Sequence, residues 1–178
     1  MSSHEHIEGN SNKVVALLIS VLALLLAIVG GFGKYYQTQV VTQQVELSDT
    51  WNFYQAKSIR QSNTKLSLEL LDVLANNASP KVTKLRNQWE SQIAHYESDP
   101  DKNNGKKELS GKAEGIEKSL HIYHDKYHYL EFAAAILEIA IVLASASIIV
   151  SMNFLTVIAG LMGICSTLLL AYITLFLQ

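Results

Sequence analysis

The stretch Leu130–Leu177, LEFAAAILEIAIVLASASIIVSMNFLTVIAGLMGICSTLLLAYITLFL, decides the fold. It holds two charged residues, Glu131 and Glu138, in a chain that is 17% charged overall. The hydrocarbon core of a bilayer is about 30 Å thick, and a helix rises about 1.5 Å per residue. Roughly 20 apolar residues therefore cross it once. Leu130–Val150 and Phe154–Leu177 each meet that length, with only Ser151, Met152 and Asn153 between them. So short a connection predicts a tight antiparallel hairpin of two transmembrane helices.

Working outward, Val14–Phe32 (VVALLISVLALLLAIVGGF) is a third uncharged run. It exceeds the roughly 7–15 apolar residues of a signal peptide, and no clear small-residue cleavage site follows, so it reads as an uncleaved anchor. The rest of the composition agrees. Of 14 Lys and Arg, all but Lys13 lie between Lys34 and Lys126. A water-soluble enzyme with one continuous core does not segregate its charges this way. The formal charge of -2 gives no basic bias toward nucleic acid. The single cysteine, Cys165, has no partner for an intramolecular disulfide or a thiolate metal site and reads as a small packing residue.

The expected organisation is all-α: a polar tail (1–13), a first span (14–33), a helical soluble region (34–129), a second span (130–150), a tight loop (151–153) and a third span (154–177). Lys34, Lys112, Lys118 and Lys126 flank the soluble region, against Lys13 alone at the tail, so the positive-inside bias expects residues 34–128 in the cytoplasm and the N-terminus outside. Small residues recur at helical spacing in each span: Ala16, Ser20, Ala23, Ala27 and Gly30; Ala133, Ala140, Ala144 and Ser147, with Leu137 between; Thr156, Gly160, Gly163, Thr167, Ala171 and Thr174. Lipid supplies no hydrophobic drive between helices, so close approach along such faces is expected to hold the spans together.

Within the soluble region, residues 34–77 lack proline. Their apolar positions Tyr36, Val40, Leu47, Trp51, Tyr54, Leu66, Leu70 and Val73 recur at helical intervals. This predicts one long helix, with Gly30, Gly31 and Gly33 as a candidate bend. Ser79-Pro80 is a restart signal, serine as cap and proline at the first helical position, for a helix over 80–98. The polar stretch 99–106 reads as a loop, and 107–129 as a helix running into the second span. A helix this long is marginal alone in water, so partners along its stripe are expected, giving the region a coiled-coil character.

Trp51-Asn52-Phe53-Tyr54-Gln55-Ala56-Lys57-Ser58-Ile59-Arg60 is distinctive. It resembles the W-x-[FY]-Y-Q-A-K-S-I-[KR] signature of the domain of unknown function 4337 family of bacterial membrane proteins. The His- and Tyr-rich approach from His121 to Tyr129, and the second span over Leu137–Ser145, resemble that family as well. The resemblance implies a helical architecture in a bacterial inner membrane and transfers no catalytic residue. Physically, Trp51, Tyr54, Gln55, Lys57 and Arg60, with Ala56 among them, form an aromatic and basic belt. Two readings stand: aromatics packed between helices with Lys57 and Arg60 paired to carboxylates, or a docking site for an anionic group or a partner helix.

His121, His124, His128, Glu131, Ala135, Glu138, Val142 and Ser145 share one helix face, roughly opposite Ala133, Ala140 and Ala144. Glu138 lies about 12 Å into the span by helical rise. A carboxylate at the bilayer centre costs on the order of 2.5–3.5 kcal/mol. That face is expected to turn to the first span, another subunit or a water-filled path, with a lipid-facing or interfacial position as the other reading. His124 and His128 stand one turn apart, the spacing of two imidazoles on one metal, with His121 or Glu131 as a third ligand; exposed surface histidines are the plainer reading. No nucleotide-binding glycine loop or nucleophile elbow occurs, and no cofactor is expected. The expected function is non-enzymatic: a homo-oligomeric membrane scaffold in contact with lipid, its helical region recruiting copies of itself or a cytoplasmic protein. The alternative is an oligomeric ion or proton channel with Glu131 and Glu138 lining the path.

Overall fold

The structure, a computed structural model, describes residues 2–74, 79–150 and 152–176, with side chains for 13–74, 79–150, 152–173 and 175. It is all-helical among these residues: α1 (Ser2–Leu74), α2 (Pro80–Glu97), α3 (Lys106–Val150) and α4 (Asn153–Phe176). Three helices are long and apolar enough to cross a membrane, within Lys13–Leu74, Lys106–Val150 and Asn153–Ile173. The hairpin residue Ser151, the expected helix end at 75–77 and the side chain of Thr174 lie outside the described residues. Helix α1 runs unbroken through Gly30, Gly31 and Gly33. Isolated glycines weaken a helix by about 1 kcal/mol each, too little to break one this long.

The chain divides into two compact units, Met1–Val40 with His121–Gln178, and Val41–Leu120. The first is an apolar bundle. Its core repeats every seven residues on each helix: Val15, Leu22 and Val29 on α1; Leu130, Leu137 and Ala144 on α3; Ala159, Ser166 and Ile173 on α4. Sevenfold spacing is the knobs-into-holes register of helices crossing at a shallow angle. The small stripe of α3 lies inside this core, where Ala133, Leu137, Ala140 and Ala144 have no accessible surface.

The α1 stripe does the opposite. Ala16, Ser20, Ala23, Ala27 and Gly30 are exposed, and the inward positions of this helix are the large residues Val15, Leu22 and Val29. The reason sits on α4, where Gly163 leaves the space Leu22 fills; a Cβ on Gly163 would come within 2.6 Å of Leu22 Cδ2. Gly160 has no such neighbour, since a Cβ there would meet nothing within 4 Å.

The described serine and threonine hydroxyls of the bundle bond within the protein, as the interior of a bilayer requires. Ser20 and Ser145 donate to the carbonyls of Ala16 and Ile141 on their own helices. Ser166 instead crosses from α4 to the Ala133 carbonyl of α3 at 3.0 Å, and Thr156 crosses to Ser147 Oγ at 2.9 Å.

The second unit is built on different residues. Along α1 the inward positions are Gln43, Leu47, Thr50, Tyr54, Lys57, Gln61, Thr64 and Leu68, at alternating steps of four and three. The apolar stripe expected from sequence is thus only partly inward: Leu47 and Tyr54 are, whereas Trp51, Leu66, Leu70 and Val73 are exposed, Val73 at 81%. Opposite stand Leu109, Ala113 and Ile116 of α3, all buried. Pro80 opens α2 as its sequence implies, but Ser79 makes no side-chain cap; its backbone carbonyl accepts from Val82 and Thr83 instead.

Candidate functional site

Two constellations hold the chemistry-bearing residues, one in each unit. In the bundle, α3 presents His121, His124, His128, Glu131, Ala135, Glu138, Val142 and Ser145 on its exposed face. The small-residue face is buried, and the polar face lies about half a turn away from it, because two residues advance a helix by about 200°. The first span therefore does not cover Glu138. The carboxylate has no hydrogen-bond or ion-pair partner among the described residues, and its neighbours Ile139 and Val142 are exposed hydrocarbon.

Nearer the start of the apolar run, the His124 and His128 rings meet edge to face, 4.4 Å between centroids. His128 Nδ1 lies 3.7 Å from Glu131 Oε2. The weak metal candidates His124 and His128 thus face each other and one carboxylate; among the described residues no group of three or more His, Cys, Asp or Glu side chains is arranged to hold a metal ion. On the same unit Tyr36 packs against Tyr35 and Tyr123, and Lys126 Nζ lies 5.5 Å above its ring. Aromatics and lysines in such a belt suit the boundary between hydrocarbon and water.

In the second unit, the residue that ties the helices together is Gln61, 4% exposed and one position beyond the ten-residue motif. Its Nε2 donates to the Ile93 carbonyl at 3.1 Å and to Glu97 Oε2 at 2.8 Å, both on α2. Its Oε1 accepts from Lys106 Nζ of α3 at 3.0 Å. Lys106 also pairs with Glu97 at 3.2 Å and lies 5.7 Å over the Tyr54 ring. One amide, one carboxylate and one ammonium thereby join three helices. The hydrogen bond from Gln61, and then Lys106, hold the Glu97 carboxyl below the usual carboxylate range.

The loop between α2 and α3 is clamped by Glu108, which accepts from Ser98 Oγ and, at 3.1 Å, from the Asp99 amide. Those two bonds likewise hold the Glu108 carboxyl below the usual carboxylate range, the Ser98 hydroxyl contributing most. Asn103 takes a left-handed φ of 52°, which asparagine tolerates better than most residues. Gly105 has to be glycine, for a Cβ would fall 2.5 Å from the Asp99 nitrogen and 2.6 Å from Ser98 Cα.

The motif residues divide across this arrangement. Tyr54 and Lys57 turn inward, and Lys57 Nζ donates to Asn104 Oδ1 of the loop rather than to a carboxylate. Trp51, Gln55, Ala56 and Arg60 are exposed, as is Phe53 at 64%. Trp51 and Tyr54 meet edge to face at 5.4 Å. The same ten residues thus supply both an inner polar seam and an outer aromatic surface.

The sequence model of one protein family, described as a domain of unknown function (DUF4337), matches residues 11–176. The chain belongs to the DUF4337 family. No curated protein and no solved structure matches it. Membership in DUF4337 therefore ties both constellations to one family domain, because the match runs through the motif and all three apolar helices.

Sequence reasoning reached the motif and the His/Glu face but missed Gln61, Glu97, Lys106 and Glu108. One signal was available for the first: Thr50, Tyr54, Lys57, Gln61 and Thr64 follow heptad steps as well as any apolar set does.

Proposed function

We propose that this DUF4337 chain is a non-catalytic, self-assembling protein of the bacterial inner membrane, with residues 34–128 in the cytoplasm and the N-terminus outside. Its helical region gathers copies of itself or a cytoplasmic protein. The observation that carries this reading is the outer surface of the bundle. Glu138 sits there among exposed hydrocarbon with no partner among the described residues, and α1 offers the exposed stripe Ala16, Ser20, Ala23 and Ala27. Bare lipid satisfies neither feature. Small residues let backbones approach, and a partner helix can hydrogen-bond a protonated carboxyl. In the polar unit, exposed Ile59, Leu66, Leu70 and Val73 supply apolar surface to the same end.

The deciding experiment is mass measurement of the full chain in nanodiscs across a concentration series. Self-assembly predicts a fixed multimer, weakened in Glu138→Leu and kept in Glu138→Gln, whose amide retains hydrogen bonding. A concentration-independent monomer would end the proposal. The exposed Glu131 and Glu138 on one face also favour a second reading, an ion or proton path between subunits. Wild-type vesicles would then carry current above empty controls between pH 5 and 8, and Glu138→Gln would lose it. Orientation is read separately, in a Cys165→Ser background. Outside reagent is expected to label His6→Cys and spare Asn103→Cys in intact cells.

A further inference from the structure

The bundle contains a cleft that its own packing does not explain. It lies between α1 and α3 within the apolar unit, with a volume of about 180 Å³. Val29, Leu130 and Ala134 form its apolar floor; Lys34, Gln37, Tyr127 and Glu131 stand at its polar rim. Gly30 and Gly33 form the α1 wall, and a Cβ on either would meet nothing within 4 Å. Two glycines inside a helix cost about 1 kcal/mol each against alanine. Here no neighbouring helix needs the room they leave. The same turns of α1 border a second, apolar hollow lined by Gly31, Phe32, Tyr35 and Tyr36.

The position of the cleft narrows what could fill it. The apolar run of α1 ends at Phe32 and that of α3 begins at Leu130, so the rim lies where hydrocarbon gives way to headgroups. The rim carries both signs of charge. Lys126 is engaged over the Tyr36 ring, whereas Lys34 has no partner among the described residues. Among the described residues Glu131 pairs with His128 alone, which is cationic only when protonated. A simple anion would suit Lys34 and be repelled by Glu131. A phospholipid carrying a phosphate and a primary ammonium two carbons apart suits both.

We propose that this cleft binds the headgroup of a phosphatidylethanolamine. Lys34 and the Gln37 amide donate to the phosphate, while the ammonium donates to the Glu131 carboxylate and the Tyr127 hydroxyl oxygen. The glycerol end and the first acyl carbons rest on Val29, Leu130 and Ala134. Charge-assisted hydrogen bonds are stronger than neutral ones, which is why a headgroup with fixed positions for both charges is selected. The site is independent of subunit number.

The test is native mass spectrometry of the full chain in mild detergent, titrated in parallel with dioleoyl phosphatidylethanolamine, phosphatidylcholine and phosphatidylglycerol. One phosphatidylethanolamine per chain is expected, held roughly tenfold more tightly than the other two, since trimethylation removes the ammonium donors and glycerol removes the cation. Glu131→Gln should erase the preference over phosphatidylcholine, and Lys34→Gln should weaken all three lipids. Gly33→Leu fills the cleft and should expel the bound lipid with the helical signal unchanged; should that variant misfold, the two charge variants still decide. Equal retention of the three lipids by the wild type overturns the proposal. So does an undiminished preference in Glu131→Gln. If Gly33→Leu changes the subunit number and leaves lipid preference intact, the occupant is a second copy of the chain and the lipid assignment is wrong.

Discussion

The two units solve the same problem, holding helices together, with opposite materials. The apolar bundle uses shape: Leu22 against Gly163, and Ala133, Ala140 and Ala144 drawn in until nothing remains exposed. The polar unit uses hydrogen bonds: Gln61, Glu97 and Lys106 across three helices, and Glu108 across a loop. The contrast follows from solvent. In lipid a leucine gains nothing by leaving its surroundings, so only fit discriminates one partner from another. In water an amide or carboxylate is comfortable either way, and fixed partners select one arrangement at modest net gain.

The sharpest break in this comparison is predicted at Gly105. A methyl there collides with backbone rather than with a flexible side-chain end, so Gly105→Ala should destabilise the polar unit by about 3 kcal/mol. Both tryptophans, Trp51 and Trp89, belong to that unit, so their emission during denaturant unfolding reports it alone. Next comes overpacking of the bundle. Ala140→Leu should cost about 2 kcal/mol in detergent-driven unfolding followed by circular dichroism. Ala135→Leu, about 140° around the helix on the exposed face, should stay within about 0.5 kcal/mol. Equal costs at the two positions would contradict the packing register.

Gln61→Leu should cost the polar unit roughly 1–2 kcal/mol, because the Ile93 carbonyl and the Glu97–Lys106 pair each lose a partner. Acidification tests the same seam by another route. Glu97 and Glu108 are both lowered in the folded chain, so their contribution is complete above the ordinary glutamate value near 4.5 and is lost as pH falls through the folded values. Tryptophan-detected stability should decline below about pH 4.5, and Glu108→Gln should flatten that decline. The smallest effect is expected at the exposed Lys112–Glu46 pair, 2.9 Å apart: Lys112→Ala should cost no more than about 0.5 kcal/mol, and less in high salt.

The three apolar helices were legible in the sequence because hydrocarbon thickness imposes a length and forbids charge, both of which can be counted along the chain. The buried stripe of α3 was legible for a similar reason. The face of α1 was not. Its small residues follow the same spacing, yet the space for Leu22 is made by a glycine more than a hundred positions away, and one helix does not record what its neighbour omits. In the polar unit the apolar residues Trp51, Leu66 and Leu70 suggested an inward stripe, while Thr50, Lys57 and Gln61 occupy it. Their partners are remote, as with Lys57 and Asn104, 47 positions apart, so local periodicity alone assigns the wrong side. The cleft beside Lys34 and Glu131 was hidden in the same way, since each wall is read separately and only their juxtaposition makes a site.

The seam around Gln61 also bears on the order in which the chain is made. Its partners Ile93, Glu97 and Lys106 follow it by 32, 36 and 45 residues. A ribosome adds about 5–20 residues per second, so Gln61 waits about two to nine seconds for the last of them. During that interval the end of α1 and the whole of α2 are still being added, and α3 has not been synthesised. Leucines at Thr50, Lys57 and Gln61 would spend those seconds seeking other hydrocarbon, including that of neighbouring nascent chains. A threonine, a lysine and a glutamine spend them bonded to water and exchange it for protein only when α2 and α3 arrive.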